Sequence, residues 1–230
     1  MNDSEREHSL TAIPDANGDD PAPFVDSIHL AHYVQPLATG PLQRARALAL
    51  VSADRGEGTS TCTLQLGRYL AARPRTRVLL VDANLHHPSL HTLASVERTR
   101  GLSNLLFGDI ELEDAVRATS VQNLFLLPSG DPVADAHEGL TTAALDERLT
   151  AQLNSYNFVL FDCPPVNDYV EATTIAAMCD GVILVVEGGK TRRQTAQNAM
   201  RLLQQARCKM LGALMNKRKF YVPQFIYDRL

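Results

Sequence analysis

Gly56, Gly58, Ser60 and Thr61 fall within one short stretch, "DRGEGTST", from Asp54 to Thr61. Small residues in that pattern let backbone N–H groups point inward at a phosphate, at the start of a helix whose dipole favours anions. Gly56, Glu57, Gly58, Thr59, Ser60 and Thr61 are therefore the candidate nucleotide-binding residues. Ser60 is placed to give its hydroxyl to Mg²⁺, and Thr61 to contact an α-phosphate. Such a loop normally carries a lysine at position 59, reaching the β- and γ-phosphates as a point charge; here the residue is a threonine. Taken alone, the stretch is also compatible with a generic glycine-containing turn between a strand and a helix. Two aspartates favour the phosphate reading. Asp82 closes the apolar run "VLLVD", and Asp162 closes "FVLFD" ahead of Cys163, Pro164 and Pro165. Carboxylates at adjacent strand ends would hold Mg²⁺ and position an attacking hydroxyl or water, which makes Asp82 and Asp162 the candidate catalytic pair.

The elements that must carry these residues are legible from the apolar runs. Ala47–Val51, Val78–Asp82, Leu124–Pro128, Phe158–Asp162, Val182–Val186 and Met210–Asn216 show continuous hydrophobicity without period-two alternation. That is the pattern of parallel strands covered on both faces. Between them, Ser60–Ala72 and Thr191–Arg207 carry apolar residues at helical spacing. Repeated strand–helix alternation predicts an α/β fold with a doubly wound, mainly parallel sheet. Ligands of such sheets bind at the carboxyl ends of the strands, where Ser52–Thr61, Asp82, Ser129–Gly130, Asp162 and Asn216 gather.

The chain has 230 residues, 45% of them hydrophobic and 21% charged, which fits a single globular domain with ragged ends. Met1–Asp26 holds seven acids against one arginine within a net charge of −4, so the remainder carries about +2. Residues 1–28 are read as a disordered acidic tail and 29–230 as the folded domain. No apolar run is long enough to span a membrane and no signal peptide opens the chain. Cys62, Cys163, Cys179 and Cys208 lack metal-ligand spacing and read as reduced core thiols, so a cytoplasmic protein is expected. His86, His87 and His91 straddle Pro88 without the spacing of a shared helix face, and read as loop histidines rather than metal ligands. "NKRK" at Asn216–Lys219 is a short basic run, read as a solvated face, and no nucleic-acid partner is expected.

These motifs together resemble the bacterial tyrosine kinases, P-loop NTPase-type autokinase domains of capsule and exopolysaccharide machinery related to division-site and partition ATPases. "SADRGEGTST" is similar to the family's S-A-x-P-G-E-G-K-S-T, "LLVDANLHHPSLH" to L-L-I-D-A-D-L-R-R-P-S-L-H, and "FVLFDCPP" to a strand ending D-x-P-P. The likeness runs from about Arg46 to the C-terminus and includes "GLSNLLFGDIELEDAV", "NLFLLPSG" and "DGVILVVEGGKTRRQ". It implies ATP and Mg²⁺ as cofactors, with Ser60, Asp82 and Asp162 at the metal and Asn216 at the adenine. It also implies a membrane-embedded polysaccharide chain-length or copolymerase protein as partner, which would recruit the chain to the inner face of the membrane. A homo-oligomer stays open.

The departures cluster on catalysis. Thr59 replaces the lysine, Asn84 replaces the second aspartate of the family's D-x-D, and His86-His87 replace an arginine pair. The segment "HLAHYVQPLATGPLQRARA" lacks the Glu/Arg pattern of ring formation, and only Tyr221 and Tyr227 stand in place of a C-terminal tyrosine cluster. Losing a charge-assisted hydrogen bond costs about 1.5–3 kcal/mol, or roughly 10- to 100-fold in affinity. The resulting expectation is a pseudokinase with weak ATP binding. Arg55 and Lys190 are the candidate replacements for the lysine. The rival readings are an active tyrosine autokinase and a partition-type ATPase; the latter is disfavoured by Asp54, which stands where those proteins carry a signature lysine.

Overall fold

The computed structural model describes residues 46–107, 110–132 and 153–217. The acidic tail, the segment preceding Arg46, and Tyr221 and Tyr227 lie outside the described residues. Among the described residues, seven strands form one sheet: β1 (Arg46–Ser52), β2 (Val78–Asp82), β3 (Arg117–Ala118), β4 (Leu124–Leu127), β5 (Phe158–Asp162), β6 (Gly181–Glu187) and β7 (Met210–Asn216). Their order is β3-β4-β2-β5-β1-β6-β7. All neighbours are parallel except β3 and β4. Six strands coincide with the apolar runs to within a residue. The two-residue β3 does not, because its pairing with Leu126 and Phe125 comes from the tertiary fold and not from any local pattern.

Every residue of β2 and β5 is buried, as a parallel sheet covered on both faces requires. Alternate residues feed two separate cores. Leu48 and Leu50 of β1 join one core with Cys62, Leu66 and Leu70 of helix α1 (Thr59–Ala71). Ala49 and Val51 join the other, with Ala172 and Ile175 of α5 (Glu171–Met178) and Ala199 and Leu203 of α6 (Arg193–Gln205). Three shorter helices, α2 (Leu90–Leu93), α3 (Leu102–Phe107) and α4 (Leu112–Ala115), lie between β2 and β3. All four cysteines are free and buried. Burial pushes the Cys62 thiol up to about 12, which leaves it an inert core group.

The winding fixes where a ligand can sit. From β1 the chain passes through α1 to β2 on one side, while β6 lies on the other side of β1. The carboxyl end of β1 is thus the switch point of the sheet, with the Asp54–Thr61 loop in the crevice.

Candidate active site

The loop after β1 is built on two glycines in the left-handed region, Gly56 at φ 77° and Gly58 at φ 90°. A side chain on Gly58 would also collide with the amide of Asn216. The Gly58 carbonyl accepts the Cys62 N–H at 3.0 Å, so the loop runs directly into the first turn of α1. Thr59 is the first helical residue and is buried.

Glu57 holds the loop from within. Its Oε2 accepts the N–H of Ala53 at 2.8 Å and of Asp54 at 2.9 Å, and its Oε1 accepts the Thr191 hydroxyl. The Glu57 side chain therefore faces the backbone, leaving only its peptide group to the cradle. Asn216, at the end of β7, donates from Nδ2 to the Glu57 carbonyl at 2.8 Å and accepts the Lys217 N–H at 2.8 Å. The residue that the resemblance places at an adenine is here a brace of the loop. Glu57→Ala should strand two backbone N–H groups, each worth about 1–3 kcal/mol when buried and unpaired. We expect a loss of about 2–4 kcal/mol in urea unfolding, with Glu57→Gln intermediate because it keeps one acceptor oxygen.

Asp82 and Asp162 are partner residues in the parallel register of β2 and β5, so their side chains leave the sheet side by side. Both are fully buried. Asp82 Oδ2 accepts the N–H groups of Ser89 and Leu90, both at 3.1 Å, and so anchors the start of α2. Asp82 Oδ1 and both oxygens of Asp162 have no hydrogen-bond partner. Burial raises Asp82 to about 7, against the pull of the Leu90, Ser89 and Asn84 backbone N–H groups. Asp162 stands well above the ordinary range, first through burial and then through repulsion by Asp82. The Ser60 and Thr63 hydroxyls oppose that shift, while Thr63 also donates to the Thr59 carbonyl at 3.0 Å and Ser60 accepts the Ser89 hydroxyl at 2.8 Å.

Three orphaned carboxylate oxygens at neighbouring strand ends, beside a serine hydroxyl, fit a hard divalent cation that prefers oxygen ligands. Two carboxylates alone do not complete such a shell, and among the described residues no group of three or more His, Cys, Asp or Glu gathers to hold a metal. Phosphate oxygens in the adjacent loop would supply the missing ligands.

The His86 ring is directed elsewhere. His86 Nε2 lies 3.1 Å from Glu171 Oε1, and its ring stacks on Tyr169 at 4.0 Å. Arg55 bonds the Tyr169 hydroxyl, lies 3.5 Å from Asp168 Oδ2 and covers the Tyr169 ring. It is thus drawn toward the loop that follows β5. Lys190 Nζ lies 3.2 Å from Glu187 Oε2. Both candidate replacements for the lysine therefore already have acidic partners, on the wall of a cleft of about 310 Å³ beside Asp54 and Glu57. Sequence reading missed Tyr169, Glu171 and Thr191, which reach the site by long-range contacts that no motif spacing encodes, and Ser89, whose N–H reaches Asp82 within one motif.

Comparison with known proteins agrees with this architecture. A family model described as an AAA domain matches residues 45–212. The tyrosine-protein kinase YwqD of Bacillus subtilis is 33% identical over 177 residues, 77% of this chain and 74% of that protein. The succinoglycan biosynthesis transport protein ExoP of Rhizobium meliloti is 26% identical across 75% of this chain but only 22% of its own length. Among solved structures, the VpsO kinase domain superposes with a TM-score of 0.75 at 26% identity, covering 84% of this chain and 94% of that one. The septum site-determining protein MinD of Pyrococcus horikoshii, complexed with Mg-ADP, gives 0.65 at 25% identity, covering 80% and 76%. With a glycine loop at the switch point of a mainly parallel sheet and paired aspartates at the adjoining strand ends, the chain belongs to the bacterial tyrosine-protein kinase family of P-loop proteins.

Proposed function

We propose that the chain is a catalytically impaired member of this family that binds ATP weakly and with Mg²⁺. It would act as a regulatory partner of a membrane-embedded polysaccharide copolymerase in exopolysaccharide biosynthesis or export. The observation that carries the reading is the pairing of buried, partly unpartnered carboxylates at Asp82 and Asp162 with a loop whose lysine position is Thr59. The polysaccharide assignment is supported by the likeness to ExoP. A cytoplasmic location follows from that role; among the described residues no helix is long and apolar enough to cross a membrane.

In this reading the N–H groups of Gly56–Thr61 hold the phosphates at the N-terminus of α1. Ser60, Asp82 and Asp162 would hold Mg²⁺, which would supply positive charge to neutralise and orient the phosphate oxygens. Asp162, fully buried and in register with Asp82, would orient an acceptor hydroxyl. Phosphoryl transfer depends on positive charge around the transferred group, and Thr59 supplies none. Binding therefore survives while turnover is lost. The intact carboxylate pair is what favours the second reading, an active tyrosine autokinase.

Titration with a fluorescent ATP analogue, with and without Mg²⁺, and a phosphotyrosine assay on the same protein separate the two. Mg²⁺-dependent binding without phosphotyrosine is expected. Nanomolar ATP affinity or robust autophosphorylation would overturn the impaired-kinase reading.

A further inference from the structure

Lys217 follows β7 directly, with its backbone in the left-handed region at φ 52°, uncommon for a side chain of this type. The Lys217 N–H is held by Asn216 Oδ1 at 2.8 Å, and this reversal brings the side chain back over the phosphate loop. There its ammonium donates to the Gly56 carbonyl and lies 3.3 Å from Glu187 Oε2. The Lys217 Cε also lies against Gly58, 3.7 Å from where a Cβ would stand. The ammonium thus rests on Gly56, and the carbon that bears it lies beside Gly58, in a loop whose own basic position is Thr59.

We propose that Lys217 is the substitute cation of this site, contacting the β- or γ-phosphate of a bound nucleoside triphosphate in place of the lysine missing at position 59. The inference rests on the nucleotide-binding reading above and assigns that site's charge. Two observations favour a ligand-binding role over a fixed brace. The side chain is 39% exposed, so its four-carbon stem is free to swing. Glu187 also pairs with Lys190 at 3.2 Å, so it keeps a partner when Lys217 moves to a phosphate. Arg55, by contrast, is held by Asp168 and Tyr169.

The test compares displacement of a fluorescent ATP analogue by ATP and by AMP, in Mg²⁺, for wild type, Lys217→Met and Lys217→Met with Thr59→Lys. AMP shares the base, ribose and α-phosphate but lacks the groups that Lys217 is inferred to contact. ATP affinity is expected to fall roughly 10- to 100-fold in Lys217→Met, AMP affinity by less than about twofold, and Thr59→Lys should restore ATP binding. Equal losses for ATP and AMP would overturn the inference by assigning Lys217 to the base, the ribose or the shape of the loop. Unchanged ATP binding, or a loss that Thr59→Lys fails to repair, would overturn it as well. Wild-type protein that binds neither nucleotide would remove the nucleotide-binding reading together with this inference, whereas wild-type binding unaltered in Lys217→Met removes the inference alone.

Discussion

Asp162→Asn is expected to raise the melting temperature of the ligand-free protein while abolishing Mg²⁺-dependent nucleotide binding. Both Asp162 oxygens are buried without a hydrogen-bond partner, and Asp82 stands beside them in register. Removing one of two such charges relieves desolvation and repulsion together, and the asparagine Nδ2 can donate to the orphaned Asp82 Oδ1. A gain of about 1–3 kcal/mol corresponds to several degrees. Asp82→Asn should gain less, because Asp82 Oδ2 already accepts two N–H groups at the start of α2. The pH dependence has a definite sign. Both carboxyls are raised above the ordinary value of 3.8, so the native state holds protons that the unfolded chain has released. Their effect is absent below the unfolded value, and wild-type stability then falls as pH rises through about 7. The advantage of Asp162→Asn should therefore be small near pH 4 and grow as pH rises above the unfolded value. Mg²⁺ with nucleotide should bind wild type more tightly across the same rise, since it displaces the protons. Thermal melts from pH 4 to 8 with and without Mg-ATP check both trends; a lower melting temperature for Asp162→Asn throughout would show that the carboxylate is stabilising and not strained.

The sequence was most readable where local pattern and global fold agree. Val78–Asp82 and Phe158–Asp162 are fully buried strands, and continuous apolar runs have few other uses in a chain of this type. The glycine loop was equally legible, because positive φ at Gly56 and Gly58 leaves little choice of residue. What sequence could not convey was the second function of each polar group. Asp82 reads from sequence as a metal ligand, yet its Oδ2 accepts two N–H groups at the start of α2 while its Oδ1 has no partner. Glu57 belongs to the loop by position, but its carboxylate serves Ala53, Asp54 and Thr191. Lys217 was part of a basic run that read as a solvated face, and its contact with Gly56 spans 161 residues. Such contacts are set by strand order, which places β7 at one edge of the sheet with Asn216 still within reach of the loop.

Thr59→Lys should tighten ATP binding without by itself producing a kinase. Position 59 opens α1 at the loop's end, where a lysine would bring its ammonium to the phosphates. One charge-assisted contact is worth about 1.5–3 kcal/mol, so a gain of roughly 10- to 100-fold is expected. If Lys217 already supplies part of that charge, the gain should be smaller in the wild-type background than in Lys217→Met, a non-additivity expected of two groups serving one phosphate. Turnover needs more. Asn84 stands where the related motif has its second aspartate, and its Oδ1 accepts the His87 N–H at 3.1 Å, so the side chain holds a turn. Asn84→Asp keeps that acceptor and restores a carboxylate two residues beyond Asp82. ATP hydrolysis and phosphotyrosine should therefore stay near background in wild type and in Thr59→Lys. Activity that first appears when Asn84→Asp is added would place the remaining lesion at that turn. Activity with Thr59→Lys alone would show instead that a single missing charge accounts for the impairment, with Asp82, Asp162 and the rest of the site already competent.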